Sequence, residues 1–283
     1  MTETRHYTVA GHTFSVTAGA DCFGLMGNYG VFESGDVTGE AVFTIDIADG
    51  DRPEYTEEFR QEEDGQIIVC GYSPEREAVF EFVWGGETTG WLIAASGYHN
   101  ATLVMAGERY KKLAIDNALM VMFALATADK GTVLFHAAVV SHKGKGYMFL
   151  GPSGTGKSTH ARLWLEHIEG TELVNDDNPV VRDGVVYGSP WSGKTPCYRN
   201  VSYPLGGIVL LSQAPYNKIS ILKGLQAYVA LVASISGKRW DSSIADGLHD
   251  TENKLATEVP MWQLECLPDR AAAELCQSTI EEV

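Results

Sequence analysis

Positive charge is scarce in this chain. Its 283 residues hold 21 Lys and Arg against 37 Asp and Glu, a formal net charge of −16. Binding to a nucleic-acid backbone needs a clustered positive surface, so that class of partner is excluded, and any bound phosphate is small and locally held. Cysteine is sparse too. Cys22, Cys70, Cys197, Cys266 and Cys276 are odd in number, widely spread and form no C-x-x-C pair, which argues against a disulfide framework or a zinc cluster. No apolar run is long enough for a membrane: the longest, ALMVMFALA at 118–126, falls well short of a bilayer, and MTETRHYTVA at the start shows no apolar signal region. The expectation is a cytoplasmic protein without a membrane partner. Missing as well are the guanine-reading N-K-x-D element (NKIS at 217 and NKLA at 253 both lack the aspartate) and the H-R-D and D-F-G elements of protein kinases.

What is present divides into two parts. Up to about residue 107, short strand-like segments such as FSVTA, VFTIDIA, QIIVCGY, AVFEFVW and TGWLIAAS alternate with turn signals, which predicts a β-rich region over 1–107. Its acidic link DGDRPEYTEEFRQEEDG, 49–65, reads as a solvated hairpin or loop. From 108 to 130 a helical pattern opens the second part, 108–283, in which strand and helix signals alternate: VLFHAAVV, YMFLG, STHARLWLEHI, ELVNDD, a hairpin VVRDGVVYG, GGIVLL, helices near 223–236 and 242–258, MWQLECL and a final helix. That alternation predicts an α/β layer structure.

Two stretches fit G-x-x-x-x-G-K-[ST]: GPSGTGKS at 151–158 and GSPWSGKT at 188–195. The first follows a short apolar strand and opens an amphipathic helix, the context a phosphate loop requires. Gly151, Ser153, Gly154, Thr155 and Gly156 allow consecutive backbone N–H groups to turn inward around phosphate oxygens, with the positive end of the new helix behind them. Lys157 then meets the β- and γ-phosphates, Ser158 offers its hydroxyl to Mg²⁺, and Thr159 follows in the first turn. The second match has Pro190 and Trp191 where a wrapping loop needs small residues, and Pro196 follows at once without helical periodicity. It does not predict a second phosphate loop.

Strands 132–140 and 146–151, joined by SHKGKG, are expected to pair as a hairpin centred on Lys143 and Gly144, which sets His136 opposite Gly151. A unit of strand 147–151, helix 157–168 and strand 172–176 brings the carboxyl ends of both strands, and so Asp176 and Asp177, to one edge. Of two adjacent carboxylates near Mg²⁺ and phosphate, one can bind the metal or its waters while the other accepts a proton from a hydroxyl. The return strand of the VVRDGVVYG hairpin carries 188–191 back beside them. That makes GSPWSGKT a site loop, with Lys194 toward the γ-phosphate or acceptor and Trp191 as a wall. Arg199 and Arg239 are read as surface or packing residues ahead of γ-phosphate or acceptor ligands.

HAAVV, GPSGTGKST, LVNDDNPVV and GSPWSGKTPC, in that order over 136–197, resemble the phosphoenolpyruvate carboxykinase and HPr kinase superfamily. The resemblance implies a mixed-sheet P-loop kinase core behind the β-rich region, ATP with Mg²⁺, Lys157 on the phosphates and Ser158 on the metal. It further implies Asp176 as general base, Asp177 as metal ligand and His136 as their neighbour. The chain departs from both named branches. It has no separate organic-acid site of the carboxykinase kind, and VSYPLGGIVLL stands where an HPr kinase carries its glutamate- and arginine-bearing signature. Its length suits the small kinase-like members, some of them from peptide-modification gene clusters. The expected activity is transfer of the γ-phosphoryl of ATP to a hydroxyl acceptor, either a serine of a protein or peptide or a small metabolite. The alternatives are a nucleotide-binding regulatory module and a carboxykinase-like metabolic enzyme. The N-terminal region is expected to recognise the acceptor or to build contacts between copies.

Overall fold

The computed structural model describes residues 2–35, 39–63, 65–193 and 195–282, so Lys194 lies outside the described residues. The chain folds as mixed α/β with two mixed sheets and divides into two compact units, Met1–Thr127 and Ala128–Val283.

The first unit contains β1 (Thr2–Val9), β2 (His12–Gly19), α1 (Ala20–Leu25), β3 (Glu33–Ser34), β4 (Thr44–Asp49), β5 (Thr56–Glu63), β6 (Gln66–Tyr72), β7 (Ala78–Trp84), β8 (Glu87–Ala94), β9 (Asn100–Met105) and α2 (Lys111–Thr127). Its sheet runs β3-β1-β2-β4-β9-β8-β7-β6-β5. The β-rich reading of this region holds. One detail differs from expectation. The division falls after α2 rather than near 107, because the helix packs closely on β8 and β9: a methyl added at Gly90 of β8 would sit 3.3 Å from the Ala114 methyl. The acidic link forms the hairpin of the two readings: β5, exposed along its whole length, pairs antiparallel with β6.

The second unit contains β10 (Thr132–Leu134), β11 (Ala138–His142), β12 (Lys145–Leu150), α3 (Lys157–His167), β13 (Glu172–Asn175), β14 (Val180–Arg182), β15 (Val185–Tyr187), β16 (Ser202–Gln213), β17 (Lys218–Ile221), α4 (Leu225–Val232), α5 (Ser242–Glu258), β18 (Met261–Cys266) and α6 (Arg270–Glu281). Its sheet runs β10-β14-β15-β16-β12-β11-β13, with β18 on β16 and β17 on β18. Both expected hairpins form with the expected register. Lys143 and Gly144 have φ of 48° and 76°, Asp183 and Gly184 of 50° and 73°, and the ladders pair Ala138 with Phe149 and Val180 with Tyr187. Positive φ at both central residues matches the twist of the flanking strands.

The expected strand 132–140 is broken. At Phe135 and His136 the backbone N–H groups leave the hairpin for Pro179 O (3.0 Å) and Ser234 O (2.8 Å). β10 therefore pairs with β14 while β11 pairs with β12. Strand β11 also inserts between β12 and β13, antiparallel to both, so β12 and β13 run parallel and end at the same edge. Among the described residues no helix is long and apolar enough to cross a membrane.

One core fixes this edge. Ala138, Val140, Tyr147 and Phe149 of the sheet pack with Ala161, Leu163 and Trp164 of α3 and with Ala273, Cys276 and Ile280 of α6. Trp164 is fully buried there, its ring 5.6 Å from Tyr147 and 5.7 Å from Phe149. Trp164→Ala is expected to lower the unfolding free energy of this unit by about 3 to 5 kcal/mol, through lost burial and an unfilled cavity, as measured by urea denaturation.

Candidate functional site

The turn from β12 into α3 forms a glycine-built cradle. Gly151, Gly154 and Gly156 have φ of 150°, 77° and 112°, a region where a side chain strains the backbone. At Gly151 a methyl would also lie 3.2 Å from both Leu211 O and Thr155 Cγ2. Gly156 serves as the left-handed N-cap of α3 and gives the helix no side-chain cap. Lys157 is buried, 7% exposed, and its ammonium donates to Gly151 O at 2.8 Å and Pro152 O at 3.4 Å, folded back into the loop. Ser153 and Ser158 are exposed, and Thr155 and Thr159 half-buried. From β16, Gln213 Nε2 donates to Gly154 O at 3.1 Å and braces the loop from outside. A cleft of about 600 Å³ opens beside it, lined by Gly154, Thr155, Gly156 and Thr159 on one wall and by Leu163, Leu211, Cys266, Leu267 and Pro268 on others.

At the end of β13 the chain turns through Asn175, Asp176, Asp177 and Asn178. Asn175 is fully buried; its Oδ1 accepts from the N–H groups of Asp177 (2.9 Å) and Asn178 (2.8 Å), and its Nδ2 reaches Ser189 Oγ and Trp191 O, both at 3.1 Å. The two aspartates face different surroundings. Asp176 is 5% exposed, its Oδ1 accepting from the Ser192 hydroxyl (2.7 Å) and Gly193 N–H (2.8 Å) and its Oδ2 from Thr195 N–H (2.9 Å). Asp177 is about one third exposed and lies 3.1 Å through Oδ1 from His136 Nδ1, while Oδ2 accepts from Asn178 Nδ2 at 2.9 Å. Ala137 N–H donates to Asp177 O at 2.8 Å, which fixes His136 next to the turn. His136 is itself 34% exposed at the side chain.

His136, Asp176, Asp177 and the segment 188–193 thus meet at the β13 edge, as the sequence reading expects. Trp191 does not stand as an open wall; it is 4% exposed and packed. The two arginines are committed elsewhere. Arg199 donates to Leu173 O (2.7 Å) and Glu172 Oε2 (2.6 Å), and that carboxylate raises its already high pKa. Arg239 donates to the fully buried Glu252 at 2.6 Å and to Val232 O at 2.9 Å. Both bind the framework. Asn175, Ser189, Ser192 and Gln213 were not singled out from sequence. For Asn175 one signal existed: a short amide directly before two carboxylates at a strand end is a side-chain-to-backbone turn former.

His160, one turn into α3, also lines the cleft. It is 3% exposed, accepts a hydrogen bond from Trp164 Nε1 on Nε2 at 3.2 Å, and lies edge-on to Phe149. Burial lowers its pKa to about 4.

No protein-family model matches the chain, and no curated protein matches it.

Asn175→Ala is expected to remove the shared acceptor of the Asp177 and Asn178 N–H groups and to lower stability by about 1 to 3 kcal/mol in urea unfolding. His160 generates a pH dependence with a defined sign. An unfolded histidine takes its proton near pH 6.5 and the folded one only near 4, so the unfolded state binds more protons between these values and stability falls as pH drops through that window. The expected loss is about 3 kcal/mol between pH 6.5 and 4, and His160→Gln should flatten that part of the stability profile.

Proposed function

We propose that the second unit is an ATP-dependent phosphotransferase with the P-loop kinase core of the carboxykinase and HPr kinase type, acting on a hydroxyl acceptor. The observation that carries this reading is the convergence of a glycine cradle, closed on a buried lysine, with a partly exposed histidine–aspartate pair at the end of a strand parallel to the one that leads into the cradle.

The residues fit a nucleoside triphosphate. Three positive-φ glycines and the uncapped start of α3 suit phosphate oxygens, and the Lys157 ammonium, now on two loop carbonyls, can exchange them for phosphate without crossing the site. The cleft beside the loop accommodates the nucleoside. Mg²⁺ fits the hard oxygen donors Ser158 and Asp177, together with phosphate oxygens and water. When bound it would neutralise charge on the transferring group.

For the proton we assign His136 in place of Asp176. Asp176 has both oxygens committed to the 192–195 segment, whereas Asp177 Oδ1 faces His136 Nδ1. A neutral imidazole that donates Nδ1–H to Asp177 carries its lone pair on Nε2, the atom that meets an incoming hydroxyl; the tautomer follows from that hydrogen bond. The acceptor oxygen forms a bond to the γ-phosphorus and the bond to the bridging oxygen breaks. Nε2 takes the hydroxyl proton, and ADP leaves with the electron pair. Asp177 orients the imidazole and balances its charge. Cradle and dyad act chiefly by positioning and by electrostatics.

ATP labelled at the γ-phosphate, incubated with Mg²⁺, the protein and fractionated extract of its source cells, tests this. Label is expected in a polypeptide or metabolite. Lys157→Ala should abolish both MgATP binding and transfer, and His136→Gln should keep binding while lowering transfer by about 10²- to 10⁴-fold. Unchanged transfer by Lys157→Ala would sink the scheme. Label released only as inorganic phosphate, at equal rates in wild type and His136→Gln, would favour the nucleotide-binding regulatory module.

A further inference from the structure

The segment Gly188–Cys197 carries the second phosphate-loop pattern, yet no helix follows it among the described residues; the chain runs without regular structure until β16. Its donors nevertheless converge on an anion. Within four residues, the Ser192 hydroxyl, Gly193 N–H and Thr195 N–H all reach the carboxylate of Asp176, at 2.7, 2.8 and 2.9 Å. The approach is close: a methyl on Gly193 would sit 3.0 Å from Asp177 Cβ and 3.4 Å from Asp176 Oδ1. The same Ser192 oxygen accepts from Cys197 N–H at 3.1 Å, closing the segment on itself. At its start, the Ser189 hydroxyl donates to Asn178 O at 2.6 Å. At its end, the Cys197 thiol reaches Val174 O at 3.5 Å.

We infer that Asp176 is the resident anion of this segment, a positioning residue that straps 188–197 against the end of β13 as the acceptor-side wall of the site. The assignment of that wall to the acceptor rests on the phosphotransfer reading; the strap itself does not. A carboxylate whose two oxygens receive three donors from one segment is organised to hold that segment. It is poorly placed to collect a proton from a substrate. The substitution Asp176→Asn would turn an NH₂ group toward N–H donors, so at least one of the three bonds must open. The strap also accounts for the glycine in the repeated pattern: Gly193 is there for close approach to a carboxylate rather than to a phosphate.

Cys197 supplies an internal probe. It is 9% exposed at the end of the strapped segment, whereas Cys276, in the core of the same unit, is fully buried. Iodoacetamide labelling with peptide mapping follows both thiols in one sample. In Asp176→Asn, Cys197 is expected to label about tenfold faster or more while Cys276 stays protected, because a local opening is made easier without global unfolding. Ser192→Ala, which removes one donor and keeps the carboxylate, should raise the Cys197 rate by about two- to fivefold. It also serves as the test if Asp176→Asn does not fold. A Cys197 rate unchanged in both variants overturns the proposal. So does a parallel rise at Cys197 and Cys276, which would mark Asp176 as a general folding residue. Failure of the wild type to bind MgATP would instead count against the phosphotransfer reading and leave the strap standing.

Discussion

The candidate site depends on one buried amide. Asn175 ends β13 with no exposure to solvent, and its side chain replaces the ladder that the strand gives up there. Two backbone N–H groups of the turn are satisfied by one oxygen. The turn this creates sends Asp176 toward the 192–195 segment and Asp177 toward His136. A one-residue shift would exchange those environments. The division of labour between two chemically identical neighbours is thus set by an amide that touches neither the cradle nor, in our reading, the substrate.

The second constraint is electrostatic. A chain with a net charge of −16 holds little cation to spare for a phosphate, and Arg199 and Arg239 are bound to Glu172 and Glu252. What remains is built largely from neutral parts. Backbone N–H groups, one helix N-terminus and one buried ammonium concentrate positive potential in a small volume without altering the surface. In the phosphotransfer reading proposed above, such a site favours compact anions.

Much of the second unit was legible because its turns announce themselves. Lys143-Gly144 and Asp183-Gly184 are tight turns whose centres set the registers of both hairpins. The breaks were not legible. Phe135 and His136 lie in an uninterrupted apolar run, and only distant partners, at Pro179 and Ser234, draw their N–H groups out of the hairpin. Hydrophobic pattern reports burial and says nothing of which neighbour takes a backbone donor. The separate environments of Asp176 and Asp177 were likewise beyond sequence, because they arise from tertiary hydrogen bonds.

The two matches to one eight-letter pattern show what the pattern leaves out. Both directly follow a short strand, β12 in one case and β15 in the other. In 151–158 the glycines at 151, 154 and 156 all adopt positive φ and a helix begins at once. In 188–195, Pro190 and the packed Trp191 fix the backbone, Pro196 prevents a helix, and the donors fold onto a carboxylate of the same chain. In the reading proposed above, one loop keeps an anion position open to ligand, while the other places its donors on Asp176. The pattern letters are shared; the freedom of the residues between them decides which outcome follows.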